Sequence, residues 1–182
     1  MKKIILFLTI ISSLYSSQND AKFYFGLGYG YISENFSGGE GYDDVASQTA
    51  NIKFGYGIRS SYAVEMAINY IEKDKDMFSQ KDNDRYSFDL AVMKAFDFDI
   101  YINPFIKAGF GAGYLHTDNK DNSVISFSSY NLSTGIFIPM GESFDMELGY
   151  IYKYLSYERL TSDSKKLHSN MNVGYVGINY RF

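Results

Sequence analysis

The 182-residue chain has no cysteine and no tryptophan. Without cysteine there is no disulfide framework, no thiolate-bound metal and no lipoprotein cysteine to carry acyl chains. Proline occurs twice, no Gly/Pro linker or shift in composition marks a second domain, and the length suits a single one. A formal charge of −4 leaves no basic excess with which to bind nucleic acid. Beyond the first twenty residues, no stretch approaches the ~20 apolar residues of a membrane-spanning helix. Aromatic residues, by contrast, are abundant at 18%, with 18 Tyr and 15 Phe. These residue types fit pleated strands.

The chain opens MKKIILFLTIISSLYSSQNDA. Lys2 and Lys3 form a basic start, Ile4 to Ile11 a short apolar core, and small polar residues follow. That order is a secretory signal, too short to cross a bilayer; the alternative is a buried amino-terminal helix or strand. We read residues 1–21 as the signal peptide, cut after Ser16, Ser17 or Ala21, and 22–182 as one β-barrel domain. Cleavage after Ala21 removes two cations and one anion, taking the net charge from −4 to −5.

The mature part divides into segments with a period of two, the mark of strands with two unlike faces. They fall near 22–32, 48–58, 62–72, 85–95, 104–115, 127–138, 144–154 and 171–182. Connections after the second, fourth and sixth are short; those after the first, third, fifth and seventh are long and polar. An even strand number with long and short connections in turn is the pattern of an up-and-down transmembrane barrel whose short turns are periplasmic.

One face gathers rings and aliphatic groups, among them Phe23, Leu27, Tyr31, Phe54, Met66, Phe88, Phe110, Leu132, Leu148, Val176, Ile178, Tyr180 and Phe182. The other gathers small residues with a few charges: Lys53, Lys107, Lys153 and Arg181 against Glu65, Asp89, Asp145 and Glu147. An eight-stranded barrel has an interior only wide enough for side chains to fill. Glycine, alanine, serine and cancelling ions fit that space, whereas rings from eight strands do not. The aromatic face therefore points to lipid, and the last strand closes against the first because hydrocarbon tolerates no unpaired edge. Tyr29, Tyr31, Tyr70, Tyr114, Tyr152 and Tyr154 toward the long-loop end, with Tyr62 and Tyr180 toward the short-turn end, read as two interfacial girdles; tyrosine's strand preference alone is the plainer account.

Four stretches, KFYFGLGYGYI, NPFIKAGFGAGYL, SFDMELGYIYKYL and the terminal GINYRF, make residues 22–182 resemble the small OmpA/OmpX-type eight-stranded outer-membrane proteins. The resemblance implies an integral outer-membrane barrel, monomeric, with both ends periplasmic, in contact with outer-membrane lipid and lipopolysaccharide. It also implies that Ile178, Tyr180 and Phe182 form the carboxy-terminal signal read by the barrel-assembly machinery. No peptidoglycan-binding domain follows Phe182, so that anchoring role is not carried over.

Buried charges persist only when paired or hydrated, so the inward ions are expected to form a lumen network, with Asp145–Arg181 the foremost pair. A filled plug is one reading of that network, and a narrow channel for water, ions or small solutes is another. No ring of like charge argues for ion selection. A third class, an enzyme acting on lipid A or phospholipid, would rest on His168 beside Ser169. Adjacent strand residues point oppositely, and no acidic partner is evident; His116 has none either. Neither DNKDNS at 118–123 nor KDKD at 73–76 supplies the spaced ligands of a calcium loop. The sequence thus points to a non-enzymatic protein without cofactor or metal, whose surface loops could carry ligands. In gels of the outer-membrane fraction, unboiled protein is expected to migrate differently from boiled protein; recovery in the soluble periplasmic fraction would overturn the barrel reading.

Overall fold

A computed structural model describes residues 21–37, 45–72, 82–117, 124–158 and 167–182. Eight strands occupy them: β1 Lys22–Ser37, β2 Val45–Gly57, β3 Tyr62–Ile71, β4 Asp82–Ala95, β5 Asn103–Thr117, β6 Val124–Pro139, β7 Phe144–Tyr157 and β8 His168–Arg181. Each pairs antiparallel with the next, and β8 pairs with β1 from Tyr24↔Arg181 to Ser37↔His168, so the sheet is a closed barrel. The signal peptide and the segments KDKD and DNKDNS lie outside the described residues.

Several strands run further toward the long-loop end than the alternation suggests. β1 continues to Ser37, β7 to Tyr157, β6 begins at Val124 and β8 at His168. Outward positions there turn polar, with Ser33, Asn35, Ser126, Ser128 and Asn170, which erases the apolar period. Backbone pairing nevertheless continues, as in Glu34↔Val45 and Asn35↔Asn170. The short turns are tight. Asp99 adopts φ 55° in the β4–β5 connection, where its N–H donates to Asp97 Oδ1 at 3.0 Å. Asp tolerates the left-handed region because its short side chain bonds locally. Gly141 takes φ 91° between β6 and β7, a conformation that suits a residue without Cβ.

Sidedness follows the alternation. Phe23, Leu27, Tyr31, Phe110, Tyr130 and Phe182 are more than half exposed, while Lys53, Lys107, Asp145 and Glu147 are almost wholly buried. The expectation that rings stay outside needs correction, however. Tyr24, Phe105, Phe127, Phe137, Tyr157 and Tyr175 are buried inside. Most of these rings lie over a glycine of another strand. A Cβ on Gly55 would come within 2.1 Å of the Tyr24 ring, one on Gly113 within 2.5 Å of Phe127, and one on Gly135 or Gly149 within 2.6 Å of Phe105 or Tyr175. These four inward glycines are therefore not spare volume; each is the recess that a ring fills.

Met66 lies on the lipid face of β3, midway between Tyr62 and Tyr70. Met66→Arg is expected to cost ~2–4 kcal/mol in urea unfolding from lipid vesicles, with Met66→Leu close to neutral; equal stabilities would mean this face does not meet hydrocarbon.

Candidate functional site in the barrel lumen

The interior is built in layers, beginning at the short-turn end. Asp145 of β7 lies between two arginines. Arg181 Nε donates to Asp145 Oδ2 at 2.6 Å, and Arg59 Nε, from the β2–β3 turn, is ion-paired with Asp145 Oδ1 at 2.8 Å. The Arg181 guanidinium lies 4.8 Å from the centre of the Tyr24 ring, a cation–π contact. Its Nη1 and Nη2 have no acceptor, consistent with a π face taking that role. Above this pair, Tyr24, Ala63, Met93, Ala95, Phe105 and Phe137 form an apolar layer, with the Phe105 and Phe137 rings 4.7 Å apart.

Glu147 is the hub of the next level. Lys107 Nζ donates to Glu147 Oε1 at 2.8 Å and to Glu65 Oε1 at 2.9 Å, while Lys53 Nζ bonds Glu147 Oε2. Tyr175 OH and Asn179 Nδ2 also donate to Glu147, at 2.5 and 2.9 Å, and Tyr24 OH donates to Glu65 Oε2 at 2.8 Å. Each carboxylate thus has more than one donor, the condition under which an ion survives burial. One level up, Lys153 Nζ bonds Asp89 Oδ2, which also accepts from Asn69 Nδ2 at 2.7 Å. A cavity of about 40 Å³ lies among Lys53, Glu65, Asp89, Lys107 and Lys153. Asn51 Oδ1, Asp89 Oδ1 and Ser129 Oγ are buried at this level without a partner. Space of that size, lined by polar groups, suits a few bridging waters.

Toward the long-loop end, Ile32, Ile71, Leu115, Phe127, Leu155 and Met171 belong to a second apolar layer. Set within it is an ion pair that the sequence reading missed. Arg85 donates in bidentate fashion to Glu34, with Nη1–Oε1 at 3.1 Å and Nη2–Oε2 at 2.6 Å. Tyr157 OH bonds both, and Ser169 Oγ donates to Glu34 Oε1 at 2.5 Å. The period-two rule extended past residue 32 on β1 and to the start of β4 would have placed Glu34 and Arg85 inside. Arg59 was missed because a turn residue has no face to read.

All eight charges singled out in the sequence line this lumen. Ile178, Tyr180 and Phe182 lie on the opposite, lipid-facing side of β8, with Phe182 N donating to Phe23 O at 3.0 Å. His168 and Ser169 part company: the His168 ring stacks on Tyr154 at 5.4 Å, while Ser169 is wholly buried beside Glu34. Among the described residues no cluster of His, Cys, Asp and Glu is arranged to hold a metal.

A closed, ring-studded barrel with an ion-filled centre is an integral membrane protein of the outer-membrane type. Residues 4–182 match the outer membrane protein beta-barrel domain family, so the chain belongs to it and resides in the outer membrane. No curated protein sequence matches. Among solved structures, Neisserial surface protein A is similar at TM-score 0.71 and 16% identity, over 90% of this chain and 100% of that one. Ail, the attachment invasion locus protein of Yersinia pestis, gives 0.58 and 16%, over 90% and 99%. The outer membrane protein OprG from Pseudomonas aeruginosa gives 0.55 and 12%, over 90% and 96%. At such identities the likeness is one of fold.

Removing the hub should be severe. Glu147→Gln leaves Lys53 without its carboxylate and Lys107 with one of two, and is expected to cost ~3–5 kcal/mol in urea unfolding from vesicles; a change below ~1 kcal/mol would mean the lumen ions are freely hydrated.

Proposed function

We propose that this protein is a non-enzymatic outer-membrane barrel whose filled interior makes it a rigid support for four surface connections, contributing to envelope structure or to surface adhesion. The observation that carries this reading is the pair of apolar layers that bracket the lumen ions. Paired charges alone could line a pore; the wall of Phe105, Phe137 and Met93 below and of Leu115, Phe127 and Leu155 above supports a filled interior instead. Loops on a rigid scaffold are where binding residues concentrate. The segments 38–44, 73–81, 118–123 and 159–166, which join the strands at the far end, are the natural carriers of surface ligands.

A non-enzymatic role is favoured by the opposed directions of His168 and Ser169, since a nucleophile and its base need hydrogen-bond reach. The second reading, a narrow channel, draws on the polar cavity and its unpartnered oxygens. As partners we propose outer-membrane lipid and lipopolysaccharide around the belt. The assembly machinery would engage Ile178, Tyr180 and Phe182. A monomer is favoured because closure leaves no edge to pair with a second copy.

Planar-bilayer recordings of refolded protein are expected to show no stable single-channel steps, whereas Phe105→Ala/Phe137→Ala/Phe127→Ala, which thins both layers, is expected to show them. Regular steps from the parent protein would overturn the plug reading.

A further inference from the structure

The cations of the strands sort by face, with one exception. Lys53, Arg85, Lys107, Lys153 and Arg181 are buried inside, each ion-paired with a carboxylate. Lys94 instead follows Phe88, Leu90 and Val92 along the outer face of β4 and pairs across the sheet with Tyr62 and Ile106, both outward residues. Among the described residues it is the one cation on the lipid face of a strand, and it has no carboxylate partner. Its Nζ lies 4.2 Å from the centre of the Tyr62 ring and 5.9 Å from that of Phe96, and it donates to Ser61 Oγ at 3.3 Å. Ring faces attract an ammonium without neutralising it.

The connection that follows Lys94 is unlike the other short turns. Those present Arg59, Ser60 and Ser61, and Gly141, Glu142 and Ser143. This one presents Phe98, Ile100 and Tyr101, each more than half exposed, interleaved with exposed Asp97 and Asp99. The Phe96 and Phe98 rings stack at 6.1 Å, and Tyr101 OH donates to Pro139 O at 2.7 Å, which holds the turn against β6. Exposed rings at a strand end belong in the interfacial layer of a bilayer. Lys94, four residues nearer the core than Phe98, therefore stands where that layer gives way to hydrocarbon.

We propose that Lys94 and the β4–β5 connection form a site for one periplasmic-leaflet phospholipid with an amine-bearing, zwitterionic head, of the phosphatidylethanolamine class. The phosphate is held by Lys94 Nζ and Ser61 Oγ, the head's ammonium faces Asp97 and Asp99, and the acyl chains lie along Val92 and Leu90. Three features commit the site to that occupant. A lone ammonium on the lipid face calls for an anion supplied by the membrane, and lysine is a ready phosphate binder. The charges also come in the right order, cation toward the core and carboxylates toward water, as phosphate and amine do in such a head. Lastly, Asp97 and Asp99 have no cation partner among the described residues, so they repel a head of net negative charge and favour one that carries an ammonium. The site gives a place to the lipid partnership proposed above and rests on it, but not on the filled interior.

Native mass spectrometry of the refolded full chain, titrated with phosphatidylethanolamine or with phosphatidylglycerol of the same acyl chains, tests the site. One phosphatidylethanolamine is expected per barrel, at up to about fivefold lower concentration than phosphatidylglycerol requires. Lys94→Met is expected to weaken retention of both lipids about tenfold, and Lys94→Arg to preserve it. Asp97→Asn/Asp99→Asn, which keeps an oxygen for the Asp99 N–H, is expected to erase the preference between the two lipids, and this arm decides the matter if Lys94→Met does not refold. Migration of unboiled protein, read beside each titration, tells a lost site from a lost barrel. Phosphatidylglycerol retained by the parent as well as phosphatidylethanolamine, undiminished retention in folded Lys94→Met, or an unaltered preference in the double variant would overturn the proposal.

Discussion

Hydrocarbon offers no hydrogen bonds, and the whole architecture answers to that fact. A strand in lipid must pair on both edges or leave unpaired amides at several kcal/mol each. β8 therefore returns to β1 over its entire length. Closure of eight strands then fixes the bore, and the bore fixes what may fill it. Most inward rings occupy space from which a neighbouring strand withdraws its own side chain, as Gly55 does for Tyr24 and Gly149 for Tyr175. Composition on the inner face is thus a consequence of the pairing on the rim.

Within that bore the ions serve less as a source of stability than as a means of joining distant strands. Buried ion pairs often stabilise no better than apolar residues of the same volume. What they add here is connectivity. Glu147 links β7 to β2 through Lys53 and to β5 through Lys107, and Glu34 links β1 to β4 through Arg85. The neighbour-to-neighbour ladder of a barrel contains no such chords. They resist flattening of the cylinder, to which a sheet held only around its circumference is most compliant.

Much of this was legible in the residues. Period two is unambiguous where one face meets lipid, so strand number, order, closure and sidedness could all be read from Phe23 to Tyr31 and from Phe144 to Tyr154. The inward charges could be read for the same reason, since each sits between two outward rings or aliphatic groups. Legibility failed where that contrast failed. Beyond Tyr31 the outer face is as polar as the inner, so Glu34 passed as a loop residue, and Arg85, the first residue of its predicted strand, was assigned to neither face. The inward rings were missed for a different reason. A ring over a glycine is a relation between strands, and a single strand such as NPFIKAG shows only that Phe105 and Ile106 are both apolar, not that Gly135 of β6 makes room for one of them.

Arg59 gives the barrel a feature beyond the strand ladder. Its guanidinium reaches the carbonyls of Gly141, Glu142 and Phe144, and Asp145 besides, so the β2–β3 turn is tied to the β6–β7 turn on the far side of the mouth. Those turns are separated by more than eighty residues of chain. Such a tie can form only once seven strands have been laid down in order and curved round. Arg59 therefore joins two turns that stand opposite one another only in the closed eight-strand barrel, and a different strand number or stagger would bring another turn opposite it.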